Sequence, residues 1–165
     1  MITATVPRPQ IKDSGSRSEF VTGAVRDIQT GKGRPTLMPL HVVATLLDEK
    51  LGGDSVMSKI AHFTDTMNTT YLYQALTEFA VWVYEDTVET MLLEAAIHYE
   101  EGSKKYPPAE DGTPNWKLGI PVNCYLDSAI RHYLKYRRGD EDEPHDRAFV
   151  WNIMCCIWEV DYHHD

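Results

Sequence analysis

The sequence has little cysteine, no long apolar run and no strong alternation of apolar and polar residues of the kind that predicts strands. Three cysteines in 165 residues do not make a disulfide framework, and the lack of a Cys-x-x-Cys pair argues against a structural zinc site. No apolar segment is long enough to cross a membrane, and the first residues do not resemble a secretory signal peptide. We therefore expect a cytoplasmic protein that binds no membrane, with Cys155 and Cys156 as buried free thiols.

Acidic residues are in excess, but they are unevenly distributed. The net charge is −9, yet residues 1–35 hold six Lys/Arg and three Asp/Glu, whereas residues 36–165 hold ten and twenty-two. We therefore divide the chain into a basic N-terminal arm and an acidic body. Such a body is a poor surface for nucleic acid, whose affinity depends on cations that contact phosphate. It could meet phosphates through bound divalent cations, or its charge could serve solubility alone.

Apolar residues recur at helical intervals from Pro39 onward and predict six helices, whereas the first twenty residues lack periodicity and predict an extended or flexible arm. The first helix should cover residues 40–51, and the third and fourth could be one continuous helix. Asp54 or Ser55 is a candidate cap for the second helix and Asp142 for the sixth. The core face of the sixth helix should comprise Phe149, Val150, Ile153, Ile157 and Trp158. The apolar stripe of the fourth helix comprises Val88, Met91, Leu92, Ala95, Ala96 and Tyr99.

A polar stripe accompanies this apolar one on the fourth helix. Glu94, His98, Glu101 and Lys105 are spaced 4, 3 and 4 residues apart, so they share one face of the helix over three turns. Carboxylates held on a rigid helix suit a hard divalent cation. The competing interpretation is an exposed face that is stabilised by i,i+4 ion pairs.

Two cationic features could contact phosphate oxygens. A turn at Gly31-Lys32-Gly33 combines exposed backbone N–H groups with cations, although its spacing is not that of a Walker loop. The fifth helix carries a second cationic group, which could hold phosphate or form a solvated face. Its members are Ser128, Arg131, His132 and Lys135.

The start of the sixth helix is dense in acidic residues. Asp142, Glu143, His145 and Asp146 could bind a metal ion there, with Asn152 two turns further along. The other interpretation is that these carboxylates cap the helix and interact with its dipole. His145-Asp146 is also an HD dipeptide, which is typical of a class of metal phosphohydrolases.

These residues belong to a longer series of short motifs in a fixed order. The series includes TGAVRD at 22–27, HYEEG at 98–102, Asn115-Trp116, DSAIRH at 127–132 and DEPH at 142–145. It resembles the phage and prophage proteins described as dATP/dGTP diphosphohydrolase (N-terminal domain) proteins, over about residues 14–40 and 94–158. Those proteins are similar to the MazG-like nucleoside triphosphate pyrophosphohydrolases.

The resemblance implies an all-α, MazG-like helical bundle with an extended N-terminal arm, a homo-oligomer that acts in the host cytoplasm. It implies hydrolysis of a purine deoxynucleoside triphosphate, dATP or dGTP, to monophosphate and pyrophosphate. Carboxylates would hold Mg²⁺ or Mn²⁺, and a water activated by the metal would attack the α-phosphorus. MazG-like enzymes use Glu-Glu-x-x-Glu and Glu-x-x-Asp helices. Here the first helix departs from that pattern at His98, and Glu143 and Asp146 match the second.

We predict three groups of site residues from the motifs and the resemblance. The predicted metal ligands are Glu94, Glu101, Asp142, Glu143 and Asp146. The predicted catalytic residues are His98, Glu101 and His145. The predicted contacts to the phosphates and the base are Lys32, Arg34, Lys105, Asn115, Trp116, Arg131, His132 and Asn152, and the alternative for Trp116 is packing in the core.

Two other functions fit the same residues. An HD-type phosphohydrolase would use His145 and Asp146 and would release nucleoside and intact tripolyphosphate. A non-enzymatic protein would bind or sequester a nucleotide, or form a structural oligomer, through the same polar faces without turnover.

Overall fold

The computed structural model describes residues 10–85 and 87–163, so the first nine residues of the predicted arm lie outside the described residues. The predicted all-α class is confirmed, because two short strands and two 3-10 turns accompany six α-helices in the described part of the chain. None of these helices is long and apolar enough to span a membrane. The elements are β1 (Arg17–Glu19), β2 (Val25–Asp27), α1 (Leu40–Leu46), α2 (Ser55–Thr66), α3 (Thr70–Val83), α4 (Val88–Lys105), α5 (Val122–Arg138) and α6 (His145–Asp161).

Helix α6 is the centre of the fold. It packs along α5 and also against α3 and α4, whereas α2 packs between α1 and α3. Because neighbours surround it, α6 is buried on nearly all sides, including four of the five residues predicted for its core face: Phe149, Val150, Ile153 and Ile157. The fifth, Trp158, is half-buried. Cys155 and Cys156 are buried free thiols, as predicted. Burial raises the pKa of Cys155 to about 12, so this thiol stays protonated at neutral pH.

Local hydrogen bonds decide where two helices begin and end. The Asp54 carboxylate accepts a hydrogen bond from the backbone N–H of Met57, at 2.7 Å, so Asp54 caps α2 as predicted. The prediction that the first helix extends to residue 51 is wrong, because α1 ends at Leu46. The Asp48 carboxylate accepts from the N–H groups of Lys50 and Gly52 and holds that segment in a turn.

Two further boundary predictions are corrected. Helices α3 and α4 are separate, since Tyr84 ends α3 and Glu85 adopts the left-handed conformation with φ of 54°. Asp142 does not cap α6, because Pro144 occupies the N-cap position without a side-chain cap. The Asp142 carboxylate instead contacts the ring of His145.

The exposure of α4 differs from the prediction. Met91 and Ala95 are buried as expected, but Val88 and Leu92 are exposed, and His98 is buried in their place. Relative to the prediction, the helix is rotated so that its polar stripe faces the protein, because Glu94 and Glu101 of that stripe contact Arg147 on α6. An apolar face of α4 is consequently left in solvent.

A β-hairpin begins within the first twenty residues, which were predicted to be extended or flexible, and ends at Asp27. β1 and β2 pair antiparallel, with Arg17 opposite Asp27. The side-chain amide of Asn115 fixes β2 by accepting from the N–H of Val25 and donating to its carbonyl, both at 2.8 Å. The hydroxyl of Thr22 donates to the carbonyl of Gly119 at 2.6 Å. These bonds hold the hairpin against the helices, so β2 can contribute side chains to a shared cavity.

Candidate functional site

A polar cavity of about 360 Å³ lies between the N-terminal segment, β2, α4, α5 and α6. This volume is within the range of small-molecule sites, which begins at about 300 Å³. Predicted site residues from four separate stretches of sequence converge here. Those lining the cavity are Lys32, His98, Lys105, Arg131, His132, Glu143 and Asn152.

The cavity has the opposite charge to the chain as a whole. Six Lys and Arg residues line it (Lys12, Arg26, Lys32, Lys105, Arg131 and Lys135) against three Asp and Glu residues (Asp13, Asp27 and Glu143), although the net charge of the protein is −9. Concentrating cations in one concave site costs electrostatic repulsion, which an anionic ligand relieves. This arrangement therefore fits a polyanion such as a phosphate chain.

Arg26 is a site residue that the predictions missed. Its side chain is only 4% exposed, and its Nη2 donates to Ser128 Oγ at 2.9 Å and to Asn152 Oδ1 at 3.0 Å. The guanidinium carbon lies 5.1 Å and 5.2 Å from the ring centroids of Tyr125 and Trp151. Nε and Nη1 meet no hydrogen-bond acceptor among the described residues. A buried arginine with unused donors beside a cavity is prepared to bind an anion.

Asp27, the residue after Arg26, organises the other cations. Its carboxylate lies 3.2 Å from Lys32 Nζ and 3.7 Å from Lys105 Nζ, and its backbone N–H donates to Tyr106 Oη at 2.9 Å. Arg131 Nη1 donates to the carbonyl of Gly33 at 2.6 Å, which ties the predicted turn to α5. The lysines are thus held in place before any ligand arrives.

His98 is buried and neutral. It is 3% exposed and lies beside Trp151, with ring centroids 5.5 Å apart. Burial, with the positive charges of Arg147 and Lys105 nearby, lowers the pKa of His98 to about 3. Its Nδ1 is buried and has no hydrogen-bond partner in the described part of the chain. A neutral imidazole of this kind is a hydrogen-bonding group rather than a strong base.

The two carboxylates of the α4 stripe surround Arg147. Arg147 Nε donates to Glu94 Oε2 at 3.0 Å, and Nη1 lies 3.9 Å from Glu101 Oε1. Arg147 is 4% exposed, and the predictions missed it because it looks like a surface residue in the sequence. Neither Glu94 nor Glu101 lines the cavity. Glu94 instead lines a second cavity of about 930 Å³ together with the predicted ligands Glu143 and Asp146, whereas Glu101 is not among the residues that line it.

A pair of histidines connects α5 to the start of α6. His132 Nδ1 and His145 Nδ1 are 2.9 Å apart, and His145 Nε2 lies 2.7 Å from Asp142 Oδ1. Ligand atoms of His132, Glu143 and His145 all lie within 4.8 Å of one another. Asp146 is directed elsewhere, since its carboxylate accepts a hydrogen bond from Tyr84 Oη at 2.8 Å.

Helices α4, α5 and α6, which build most of this site, are also the part of the chain that is similar to known sequences. The sequence model of the family described as "dATP/dGTP diphosphohydrolase, N-terminal" matches residues 82–164, half of the chain. The chain belongs to this family. The matched segment contains Lys105, Arg131 and the histidine pair, whereas Arg26 and Lys32 lie before it. No curated protein and no solved structure matches the chain.

Three predicted substrate contacts in this dATP/dGTP diphosphohydrolase family member have structural partners instead. Both polar atoms of the Asn115 amide bind Val25, so they are not available to a base. Trp116 packs edge-on against Tyr99 and Trp158. Arg34 does not line the cavity, and its Nε donates to Asp127 Oδ2 at 3.2 Å. The polar and aromatic residues of short turns can contact either a ligand or a neighbouring segment of the chain. The sequence alone does not distinguish these two roles.

Proposed function

We propose that the protein hydrolyses dATP or dGTP to the nucleoside monophosphate and pyrophosphate, with Mg²⁺ or Mn²⁺ as cofactor. Two observations support this proposal: the family is named for enzymes that act on these nucleotides, and the chain has a cationic cavity. The observation that carries it is the buried Arg26, whose Nε and Nη1 have no acceptor among the described residues. Both atoms are closed to solvent, so a phosphate oxygen would supply that acceptor after the Arg26 side chain moves toward the cavity.

The cations of the cavity have complementary roles in this proposal. Arg26 and Arg131 would donate hydrogen bonds to phosphate oxygens, since guanidinium groups match phosphate geometry. Asp27 already positions Lys32 and Lys105 through ion pairs, and on binding the two ammonium groups would exchange this partner for the phosphate chain. Each charge-assisted bond of this kind contributes about 1.5–3 kcal/mol.

The reaction adds one water molecule across the bond between the α-phosphorus and the oxygen that bridges to the β-phosphate. Water forms a bond to the α-phosphorus, the bridging oxygen leaves with pyrophosphate, and the proton of the water goes to solvent or to the pyrophosphate. His98, neutral and buried at the cavity, would orient the water or a phosphate oxygen by a hydrogen bond. When bound, the divalent cation would neutralise phosphate charge and lower the pKa of a coordinated water.

Residues suited to hold that cation lie at the edge of the cavity. Glu143 and His132 line it, and His145 is adjacent. The carboxylate fits either ion, and the two imidazole nitrogens fit the transition metal Mn²⁺ better than Mg²⁺. An HD-type site has less support, because the Asp146 carboxylate contacts Tyr84 and belongs to none of the candidate metal groups in the described chain.

We also propose that the protein self-associates, as the resemblance to MazG-like enzymes implies. The exposed face of α4 offers a surface, because Leu92, Leu93 and Ile97 are 43%, 71% and 42% exposed. Trp82, at the end of α3, is 58% exposed. An apolar surface of this kind is stabilised when a second copy covers it.

Product analysis tests the proposed activity. Purified protein is incubated with each nucleoside triphosphate and Mg²⁺ or Mn²⁺, and the products are identified. We expect monophosphate and pyrophosphate from dATP or dGTP. Nucleoside and tripolyphosphate would contradict the proposal in favour of the HD-type reaction, and saturable binding without turnover would favour a sequestering protein.

Variants connect that activity to the cavity. Arg26→Gln should lower kcat/KM by about 10–100-fold, the loss expected for a charge-assisted hydrogen bond. Because Arg26 is buried, Arg131→Gln is a second variant at a less buried position. The control is Arg138→Gln, an exposed arginine that pairs with Asp140 and does not line the cavity. Equal activity in all three variants would show that the cavity is not the site.

A further inference from the structure

A site made of two imidazoles and one carboxylate lies where α5 meets the start of α6. His132 and His145 face each other through Nδ1 atoms 2.9 Å apart, and an oxygen of Glu143 lies within 4.8 Å of both rings' ligand atoms. His145 is 1% exposed, whereas His132 and Glu143 line the cationic cavity. The group is therefore closed on the side of the core and open on the side where a nucleotide would lie.

Asp142 fixes which nitrogen of His145 is available. A carboxylate only accepts hydrogen bonds at neutral pH, so the 2.7 Å contact requires that His145 Nε2 carries the proton. In the neutral ring, the lone pair is then on Nδ1, which is directed toward His132. A histidine that donates its second N–H to a carboxylate is the usual arrangement around a bound metal ion. Asp142 in turn accepts from the Lys12 ammonium, which holds the carboxylate in position.

The spacing of the two nitrogens also fits a metal ion. Two ligands on adjacent corners of an octahedron, each about 2.1 Å from the ion, are about 3 Å apart. The two Nδ1 atoms are 2.9 Å apart and share a hydrogen bond, so one ion would contact both when it takes the place of the shared proton. Two protonated nitrogens could not approach so closely, so at most one of them carries a proton.

The donor set indicates which class of ion fits. Imidazole nitrogens favour first-row transition metals, most strongly Co²⁺ and Zn²⁺ and least strongly Mn²⁺, over Mg²⁺, which prefers oxygen ligands and water. Two histidines and one carboxylate leave further coordination positions for water and phosphate oxygens. We propose that His132, Glu143 and His145 bind a borderline divalent transition metal, such as Co²⁺, Mn²⁺ or Zn²⁺, in preference to Mg²⁺. The role of this ion in catalysis rests on the function proposed above, but its binding does not.

Two other groups of residues are competing sites and serve as controls. Asp140 and Asp142 approach His145 from its other side, and exposed His41, His62 and Asp65 form a group at α1 and α2. Asp140→Asn tests the first alternative and His41→Asn the second. Both substitutions leave His132 and Glu143 unchanged.

The test is a titration of the full chain, without nucleotide, with Co²⁺, Mn²⁺, Zn²⁺ and Mg²⁺ by calorimetry, and with Co²⁺ by visible absorption. We expect one Co²⁺ per chain and tighter binding of Co²⁺, Mn²⁺ and Zn²⁺ than of Mg²⁺. His132→Asn and Glu143→Gln should each lower Co²⁺ affinity at least about tenfold, since even the outer partners of metal ligands produce such losses. His41→Asn and Asp140→Asn should retain the affinity of the unmodified protein.

Three results would overturn the site: no preference over Mg²⁺, unchanged affinity in both His132→Asn and Glu143→Gln, or loss of the single Co²⁺ in Asp140→Asn or His41→Asn. Circular dichroism of each variant checks that it is folded. Product analysis of the same samples separates this proposal from the proposed function. Specific Co²⁺ binding without nucleotide hydrolysis would support the metal site and contradict the proposed function. Metal-dependent hydrolysis that persists in both His132→Asn and Glu143→Gln would support the function and contradict the metal site.

Discussion

Helices α2 and α4 are both amphipathic, but they use different side chains to pack against the rest of the protein. Helix α2 buries apolar side chains, with Ile60 and Phe63 at 0% exposure. Helix α4 buries His98 and directs Glu94 toward Arg147, while Leu93 on its outer face is 71% exposed. The first arrangement serves stability alone. The second leaves polar groups inside and apolar groups outside, which is typical of a helix that serves a site and an interface.

The largest effect on α2 is expected from truncating its core. Phe63→Ala should lower the free energy of unfolding by about 3–5 kcal/mol, because it removes buried apolar surface and leaves a cavity. Denaturant unfolding measures this loss. The control, Thr64→Ala at the exposed neighbouring position, should change it by less than about 0.5 kcal/mol. A small effect of Phe63→Ala would mean that α2 is not held by its apolar face.

On α4, the corresponding loss in the free energy of unfolding is expected from breaking the ion pair between Glu94 and Arg147. Arg147→Leu should cost about 3–5 kcal/mol in the free energy of unfolding, because the carboxylate of Glu94 loses a buried cationic partner. Adding Glu94→Leu to this variant should recover part of the loss. Chemical denaturation of the two single variants and the double variant gives the coupling. If the free energy of unfolding lost in the double variant equals the sum of the losses in the two single variants, the ion pair does not hold α4 to α6.

A smaller effect concerns pH. The pKa of His98 is about 3 in the folded protein, while an unfolded histidine has a pKa of about 6.5, so the unfolded chain binds more protons between these values. Stability should therefore fall as the pH falls below about 6.5, by up to about 1.4 kcal/mol per pH unit for this residue. Burial also lowers the pKa of His132, which adds to the same trend.

Replacing His98 isolates its share of that trend. His98→Met should make the decline in unfolding free energy between pH 6 and pH 4 shallower by about 1.4 kcal/mol per pH unit. Arg147, Lys105 and Arg26 all oppose protonation of His98 and are unchanged in this variant. Lys104→Met, an exposed position on the same helix, should leave the decline as it is. Parallel curves for His98→Met and the unmodified protein would mean that His98 is protonated in the folded state.

The smallest effect on stability is expected at the outer face of α4. Leu93→Lys should change the free energy of unfolding of the single chain by less than about 0.5 kcal/mol, because this side chain is mostly exposed. It should nevertheless shift sedimentation from an oligomer to a monomer if a second copy covers this face. Glu100→Lys, also exposed on α4, is the matched control. A monomer at all concentrations without any substitution would contradict self-association.

Local sequence was sufficient for much of the fold. The 3.6-residue period predicted α5 and α6, and Asp54 marked a helix start through a short-range hydrogen bond. These features depend on residues within a few positions of one another. The prediction failed at α1, where Asp48 bonded its own neighbours, and at the N-terminal hairpin, which is held by the distant Asn115.

The candidate site was only partly predictable for a similar reason. The polar spacing on α4 and α5 was enough to select Lys105 and Arg131, which do line the cavity. It could not show that Arg147 pairs with Glu94, because a buried arginine and an exposed one have the same sequence pattern.

By itself, then, the sequence determined the all-α class, the polar faces of the helices and the family. Only the tertiary structure decided that Arg26 is buried beside the cavity and that His132 meets His145. These contacts join residues 13 to 126 positions apart, and their geometry depends on how whole helices are rotated against one another. That rotation follows from the summed packing of many side chains, so no single motif encodes it.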